Sequence, residues 1–153
     1  EVIVAIWELE TDYGANLGKF QTVRALASLA YDCRRSELFK AELLDALRII
    51  ERGDIPAQDL RGAWAGEIGQ TQFMPSSYIK YAVDFDGNGR RDLLRSVPDV
   101  LASTANFLAG KGWQRGKDWE PGSANFAVLK EWNKSDVYAR TIGYFATQLT
   151  RAP

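Results

Sequence analysis

Apolar residues recur along this chain mostly at helical spacing, and the intervals between the periodic stretches are polar. In residues 1–14, Ile3, Ile6 and Trp7 share a face with Glu10, whereas Glu8 lies with Glu1, Val4, Ala5 and Asp12 on a more polar stripe. This spacing predicts a helix ended by Gly14. A second helix is predicted over 22–32, with Val23, Leu26, Ala27 and Ala30 on one face. A third covers 34–52, with Leu38, Leu43, Leu44, Leu47 and Ile50 as its apolar side and Gly53 as its stop. Residues 98–111 carry Val100, Leu101, Ala105, Phe107 and Leu108 and stop at Gly110 and Gly112; residues 136–149 form a terminal helix capped by Ser135 or Asp136. Between these lie a short connector at 54–60, a polar linker at 112–123 with Trp113, Trp119 and Pro121, and a short strand or extended piece at 125–132. The pattern predicts a mainly α fold with at most a short β element, without internal repeats.

One stretch breaks the periodicity. Residues 62–81 read GAWAGEIGQTQFMPSSYIKY, with three glycines, a Gln72 set between Thr71 and Phe73, and Pro75 after Met74. Gly66 and Gly69 suggest close backbone approach. Pro75 followed by Ser76 and Ser77 reads as a helix start. A loop feeding a helix is a usual seat for a binding residue on a rigid frame. A Gly-rich structural turn around a satisfied, buried Gln72 fits the same residues.

Composition narrows the chemistry. The 153 residues suffice for one domain with a real core, and a formal charge of −1 advertises no polyanion-binding face, so nucleic acid is not an expected partner. No apolar run is long enough to span a membrane and there is no signal peptide; the first residue is Glu1, so the chain is expected to lack an N-terminal part. Cys33 is alone, which excludes an internal disulfide and leaves a buried thiol as the expectation. The sequence contains no His, which excludes Ser-His-Asp and Cys-His pairs and ordinary His-ligated zinc. Acid–base chemistry is left to Glu, Asp, Lys, Tyr or a metal.

Two groups of residues can carry such chemistry. Glu10 is the carboxylate on the apolar face of the first predicted helix, and burial would raise its pKa as a general acid requires. It fits equally an exposed residue or one paired with an Arg. Asp84, Asp86 and Asn88 alternate, Gly89 follows, and Arg90 can offer its backbone carbonyl, which matches the first part of an EF-hand loop. The twelfth position is Arg95, not Glu, so Asp99 is the expected replacement, with Asp92 as the other candidate. An Asx-rich turn without metal is the alternative. A single loop lacking its closing Glu argues against a calcium sensor.

The stretch GQTQFMPSSYIKYAVDFDGNGRRDL closely resembles the lytic murein transglycosylase B family of bacterial cell-wall enzymes. Gly69, Gln72, Phe73, Met74 and Pro75 also resemble the G-x-x-Q-hydrophobic-M-P signature of the wider lysozyme-like transglycosylases, and the likeness runs from Val2 to about Tyr138. The resemblance implies a lysozyme-like helical domain across 1–153, with an EF-hand-like loop at 84–99 and a cleft between the Glu10 helix and the Gly-rich stretch. ETDYG looks like the family's catalytic Glu-Thr segment, with Glu10 as single acid/base. WNKSDVYA resembles its aromatic-Asn-x-Ser-x-x-Tyr segment, which would bring Asn133 and Tyr138 beside Glu10. From the residues alone, Asn133 reads as a helix cap and Tyr138 as a core aromatic.

Further implications follow from the same resemblance. Gln72 and Phe73 would bind substrate, as would the pair Arg34-Arg35, which in the family lies along the glycan cleft and can meet the acidic peptide stem. On its own the pair reads as solvated charge at the opening of the third helix. Asp84, Asp86, Asn88, Arg90 and Asp99 would hold a structural calcium, with no cofactor for the chemistry. The substrate would be peptidoglycan glycan strands, cut at the β-1,4 MurNAc–GlcNAc bond to leave 1,6-anhydro ends. The expected setting is a monomer in the periplasm, associated with the outer membrane only through a lipid anchor outside these residues. Two departures bear on this: Ala63 stands where the family often has Ser, and a long segment of better-known members is missing after Trp113. A lysozyme-type muramidase releasing reducing ends, or a calcium-stabilised peptidoglycan-binding module that does not cut, are the alternatives.

Overall fold

The structure, a computed structural model, describes residues 1–151. It contains helices α1 (Val2–Thr11), α2 (Thr22–Tyr31), α3 (Ser36–Glu51), α4 (Pro75–Tyr81), α5 (Val97–Gly110), α6 (Ala124–Trp132) and α7 (Asp136–Arg151). The only sheet among the described residues pairs β1 (Phe20–Gln21) antiparallel with β2 (Arg61–Gly62). This is the mainly α architecture that the periodicity predicts. No described helix is long and apolar enough to cross a membrane.

Helix α1 lies between α5 and α7. It therefore buries Ala5, which the spacing assigns to a polar stripe, as completely as Ile6. The helix also stops earlier than Gly14: Asp12 and Tyr13 both turn left-handed, at φ 52° and 55°. Helix α2 packs against α3, burying Leu26 and Ala30 one turn apart and leaving Ala27 exposed.

Helix α3 differs most from expectation. It starts at Ser36, so Arg34 and Arg35 precede it, and its buried residues are Phe39, Glu42, Ala46 and Ile49. Leu38, Leu44 and Leu47 are 50%, 55% and 45% exposed. A buried carboxylate hides the true stripe. Glu42 accepts from the Ser76 backbone N–H at 2.9 Å and the Ser76 hydroxyl at 2.7 Å, satisfying the otherwise unpaired start of α4. Residues 125–132, expected to be extended, are helical. Ser123 caps this α6 by accepting from Phe126 N at 3.0 Å, and the buried Asn125 side chain is occupied by Gln114 and Lys117 of the preceding linker. Cys33 is exposed, contrary to expectation, because it falls in the turn between α2 and α3.

Residues 61–74 form a strap across the bundle. Ile68 and Phe73 exchange backbone hydrogen bonds at 2.8 Å, and Gly62 bridges to Ile68. A Cβ on Gly62 would lie 1.8 Å from the Glu67 carbonyl oxygen, so this crossing requires glycine. Gly66, at φ 95°, packs directly on Leu26 of α2. Tyr78 of α4 is fully buried, with its hydroxyl donating to the Arg91 carbonyl.

Candidate active site

Helix α1 presents Glu10 one residue before its end. Two donors reach it from the other end of the chain. The Trp132 indole N–H, on the last residue of α6, donates to Glu10 Oε1 at 2.9 Å, and the Tyr138 hydroxyl, in the first turns of α7, donates to the same oxygen at 2.8 Å. Oε2 accepts no hydrogen bond from the described residues, so one carboxyl oxygen is anchored and the other is available for proton transfer. Burial is the main influence on this carboxyl and raises its pKa; the Trp132 and Tyr138 hydrogen bonds oppose that by stabilising the anion, and the nearby Glu67 carboxylate reinforces it. Tyr138, pushed upward by burial and by Glu10, remains a phenol and a donor.

The indole is aimed by an aromatic cluster. Trp132 meets Phe73 and Phe107 edge-on, with ring centroids 5.5 and 4.9 Å apart, and Phe73 meets Phe107 at 5.9 Å. Over these rings opens a cleft of about 350 Å³ that Glu10, Ala63, Glu67, Gln72 and Asn133 also line. Gln72 holds a left-handed backbone, φ 54°, and its amide donates to the Gly69 carbonyl at 2.9 Å. The side-chain carbonyl has no donor among the described residues. Asn133 ends α6 and accepts from Ser135 N at 2.9 Å; its amide nitrogen has no described acceptor. Both side chains therefore keep polar capacity for a ligand. Five of the site residues expected from the sequence thus meet here: Glu10, Gln72, Phe73, Asn133 and, through its bond to Glu10, Tyr138.

Arg34 and Arg35 do not join them. Arg34 is forked onto Asp32, with Nη2 2.8 Å from Oδ2, in exposed surroundings. Both arginines line a separate hollow of about 300 Å³ with Leu29, Phe39 and Trp64. Trp64 follows Ala63 of the Glu10 cleft in the chain, so the strap borders both hollows.

In the acidic loop, carboxylate oxygens of Asp84, Asp86 and Asp99 come within 4.8 Å of one another. Asp99, fully buried in the first turn of α5, accepts from Phe85 N at 2.8 Å and from Asp92 N at 2.9 Å. Asp92 lies outside the cluster and instead accepts from Leu94 N and Arg95 N, both at 3.0 Å. Asn88 takes the Arg90 N–H on its Oδ1 at 2.9 Å, within the same turn. Three converging carboxylates on a glycine-containing loop suit a hard cation such as Ca²⁺.

Three residues of this region were not singled out by sequence reasoning. Gln70 accepts from the Trp7 indole at 2.8 Å, and its own amide donates to Leu94 O at 3.0 Å. Its carbonyl accepts from the Thr11 hydroxyl. It thereby ties the Glu10 helix to the strap and the strap to the acidic loop. Trp132 opens the WNKSDVYA segment, where the sequence assigns it no role. Glu67 is the third, and its carboxylate amid small and apolar residues was the available signal.

Residues 1–124 match the transglycosylase SLT domain family. Over 117 residues the chain is 41% identical to membrane-bound lytic murein transglycosylase B of Escherichia coli K12, an alignment covering 76% of this chain and 32% of that protein. It superposes with a TM-score of 0.87 on SltB3 from Pseudomonas aeruginosa in complex with NAG-anhNAM-pentapeptide, at 34% identity over 93% of this chain and 54% of that one. Escherichia coli Slt35 in complex with calcium gives a TM-score of 0.86 at 28% identity, over 98% of this chain and 66% of that one. The chain thus spans about a third of the curated relative and just over half of SltB3.

Proposed function

The chain belongs to the transglycosylase SLT domain family, and from that membership we propose that it is a lytic transglycosylase of peptidoglycan, cutting the β-1,4 bond between N-acetylmuramic acid and N-acetylglucosamine. The observation that carries this reading is the state of Glu10: a half-buried carboxyl of raised pKa, anchored through Oε1 by Trp132 and Tyr138, with Oε2 free in a cleft. SltB3, which shares the fold, binds a fragment with an anhydro-muramic end.

One acid/base suffices when the attacking group belongs to the substrate. Protonated Glu10 gives its proton to the glycosidic oxygen as the C1–O bond breaks. The carboxylate left behind is stabilised by the Trp132 and Tyr138 donors. The sugar's acetamido group supports the electron-poor C1, oriented by the free amide functions of Gln72 and Asn133. Glu10 then takes the proton of the sugar's own 6-hydroxyl as O6 bonds to C1, closing the 1,6-anhydro ring. The attack is intramolecular, which removes much of the entropic barrier of bringing in a second reactant.

Around this centre, Asp84, Asp86, Asn88, the Arg90 carbonyl and Asp99 would hold a structural calcium. It would brace the strap through Gln70 and take no part in the chemistry. The working unit is a monomer acting in the bacterial cell envelope, on the periplasmic side, with any membrane attachment supplied outside these residues. The muramidase reading has one observation in its favour, the presence of further carboxylates in the cleft, Glu67 and the lysine-paired Glu131, since hydrolysis by water ordinarily uses two.

Mass spectrometry of soluble products from purified peptidoglycan separates these readings, with Glu10→Gln as the paired control. Anhydro-muropeptides from the unaltered protein alone are the expected result. Reducing-end products would replace the transglycosylase with the muramidase. No products from a folded protein that still co-sediments with peptidoglycan would leave a binding module.

A further inference from the structure

Glu67 stands apart from every other carboxylate near the cleft. Its backbone is pinned in the strap, where its carbonyl accepts from Ala63 N at 3.0 Å and its neighbour Ile68 is bonded twice to Phe73. Its side chain lines the Glu10 cleft, yet Oε2 is shut off from solvent and has no hydrogen-bond partner. No cation pairs with it among the described residues. Glu131, lining the same cleft, is the useful contrast: Lys111 and Lys134 hold it at 3.1 and 2.6 Å and keep its pKa low. A buried carboxylate oxygen without a donor is destabilising, so its presence in a rigid strap calls for a compensating role.

We propose that Glu67 is a positioning residue for the Glu10 proton: its carboxyl group, lining the same cleft with no cation beside it among the described residues, favours the acid form of Glu10 until substrate arrives. Among the described residues, the other charges around Glu10 are paired, except for Glu8, whose charge bears on Tyr138. From its own helix comes Glu8, which acts on Tyr138; from α7 come Tyr138, a neutral donor, and Arg140, turned to Asp136 at 2.6 Å; from just past the end of α5 comes Lys111 and from α6 Glu131, which pair with each other. Burial does most to hold the proton, and the two donors on Oε1 work against it. The Glu67 charge acts with burial against those donors. Oε1 can therefore be anchored by two hydrogen bonds without Glu10 losing its acidic proton at rest. After proton transfer, the same repulsion favours Glu10 taking a proton back from the 6-hydroxyl. The inference rests on the transglycosylase reading for its purpose, but not for its test.

The test is a titration of Glu10 in substrate-free protein labelled with ¹³C at glutamate carboxyls, with the Glu10 resonance assigned by its loss in Glu10→Gln. In both Glu67→Gln and Glu67→Ala the Glu10 midpoint is expected to fall, by on the order of half a pH unit or more. The alkaline limb of the kcat/KM profile should move down by the same amount, and Glu67→Asp should restore part of it. Removing an unpartnered carboxylate should leave both variants folded. An unchanged or raised Glu10 midpoint in either folded variant overturns the proposal. Absence of anhydro products from the unaltered protein would defeat the transglycosylase reading instead, while the titration would still decide the role of Glu67.

Discussion

The hydroxyl of Tyr138 and the carboxylate of Glu10 are 128 residues apart in sequence and 2.8 Å apart in space. That bond closes the last helix onto the first and shares Glu10 Oε1 with the Trp132 indole. Two donors on one oxygen define which oxygen carries the transferable proton.

Removing either donor should therefore change the acid, not just weaken the fold. Tyr138→Phe and Trp132→Phe each remove a bond that stabilises the Glu10 anion, so the Glu10 pKa should rise further and the alkaline limb of activity should move to higher pH. Loss of a hydrogen bond to a charged group corresponds to roughly a 10- to 100-fold fall in kcat. Release of anhydro-muropeptides across pH measures both effects; a rate loss with an unmoved limb would assign these residues to packing alone.

Glu10 should be costly to stability at neutral pH. Its folded pKa is raised, chiefly by burial, so between about pH 4, where the unfolded carboxyl titrates, and its higher folded value, the native state binds more protons than the unfolded one. The stability this group contributes is fully present below that window and is lost as pH rises through it. Glu10→Gln should thus raise Tm near pH 7 by about 2 °C or more, and the gain should vanish below pH 4. Thermal melts of the two proteins across pH check this; an equal or lower Tm for Glu10→Gln at pH 7 would count against a strained acid.

Gly62→Ala should damage the strap from its backbone outward. The new Cβ would fall 1.8 Å from the Glu67 carbonyl oxygen, with no flexible side chain to give way. A loss of about 2 kcal/mol or more is expected from denaturant unfolding. Activity per folded molecule should fall as well, since Glu67, Gln72 and Phe73 all depend on the strap's course.

Calcium should stabilise without being needed for bond cleavage. At a concentration about 100-fold above its Kd, a bound ion would add roughly 2.7 kcal/mol, visible as a higher Tm in Ca²⁺ than in chelator. Asp84 now accepts from the Asn88 and Gly89 N–H groups on separate oxygens, at 3.1 and 2.8 Å, and Asp84→Asn keeps one of these acceptors while removing the charge. That variant should melt near the chelated protein and lose the calcium-dependent increment. Equal melting of the unaltered protein in calcium and chelator would leave the loop as an Asx-rich turn.

Much of this was legible in the sequence because it is local. Helical periodicity, Pro75 at a helix start, Ser135 capping α7 and the alternating acids of the 84–99 loop all depend on neighbours a few residues away. Helix α3 departs from its predicted face because its inward side includes Glu42, a charged residue made suitable for burial by its two hydrogen bonds from Ser76. Residues 125–132 are helical rather than extended because the cap from Ser123 and the burial of Asn125 outweigh an ambiguous apolar run. The resemblance places Arg34 and Arg35 along the cleft, whereas this chain turns Arg34 onto Asp32 and sets both arginines in a separate hollow.

A helical domain, a candidate acid on an apolar face and an oxygen-rich loop are written into the order of the residues, because periodicity, polarity and residue type are properties of short stretches. It takes the packed fold to make Trp132 and Tyr138 share one oxygen of Glu10, to link that helix to the loop through Gln70, and to set Glu67 on the same cleft with no cation beside it among the described residues. Those relations join residues far apart in the chain. Their energies come from burial and charge in a shared space, which exists only once α1, the strap and α7 have packed together.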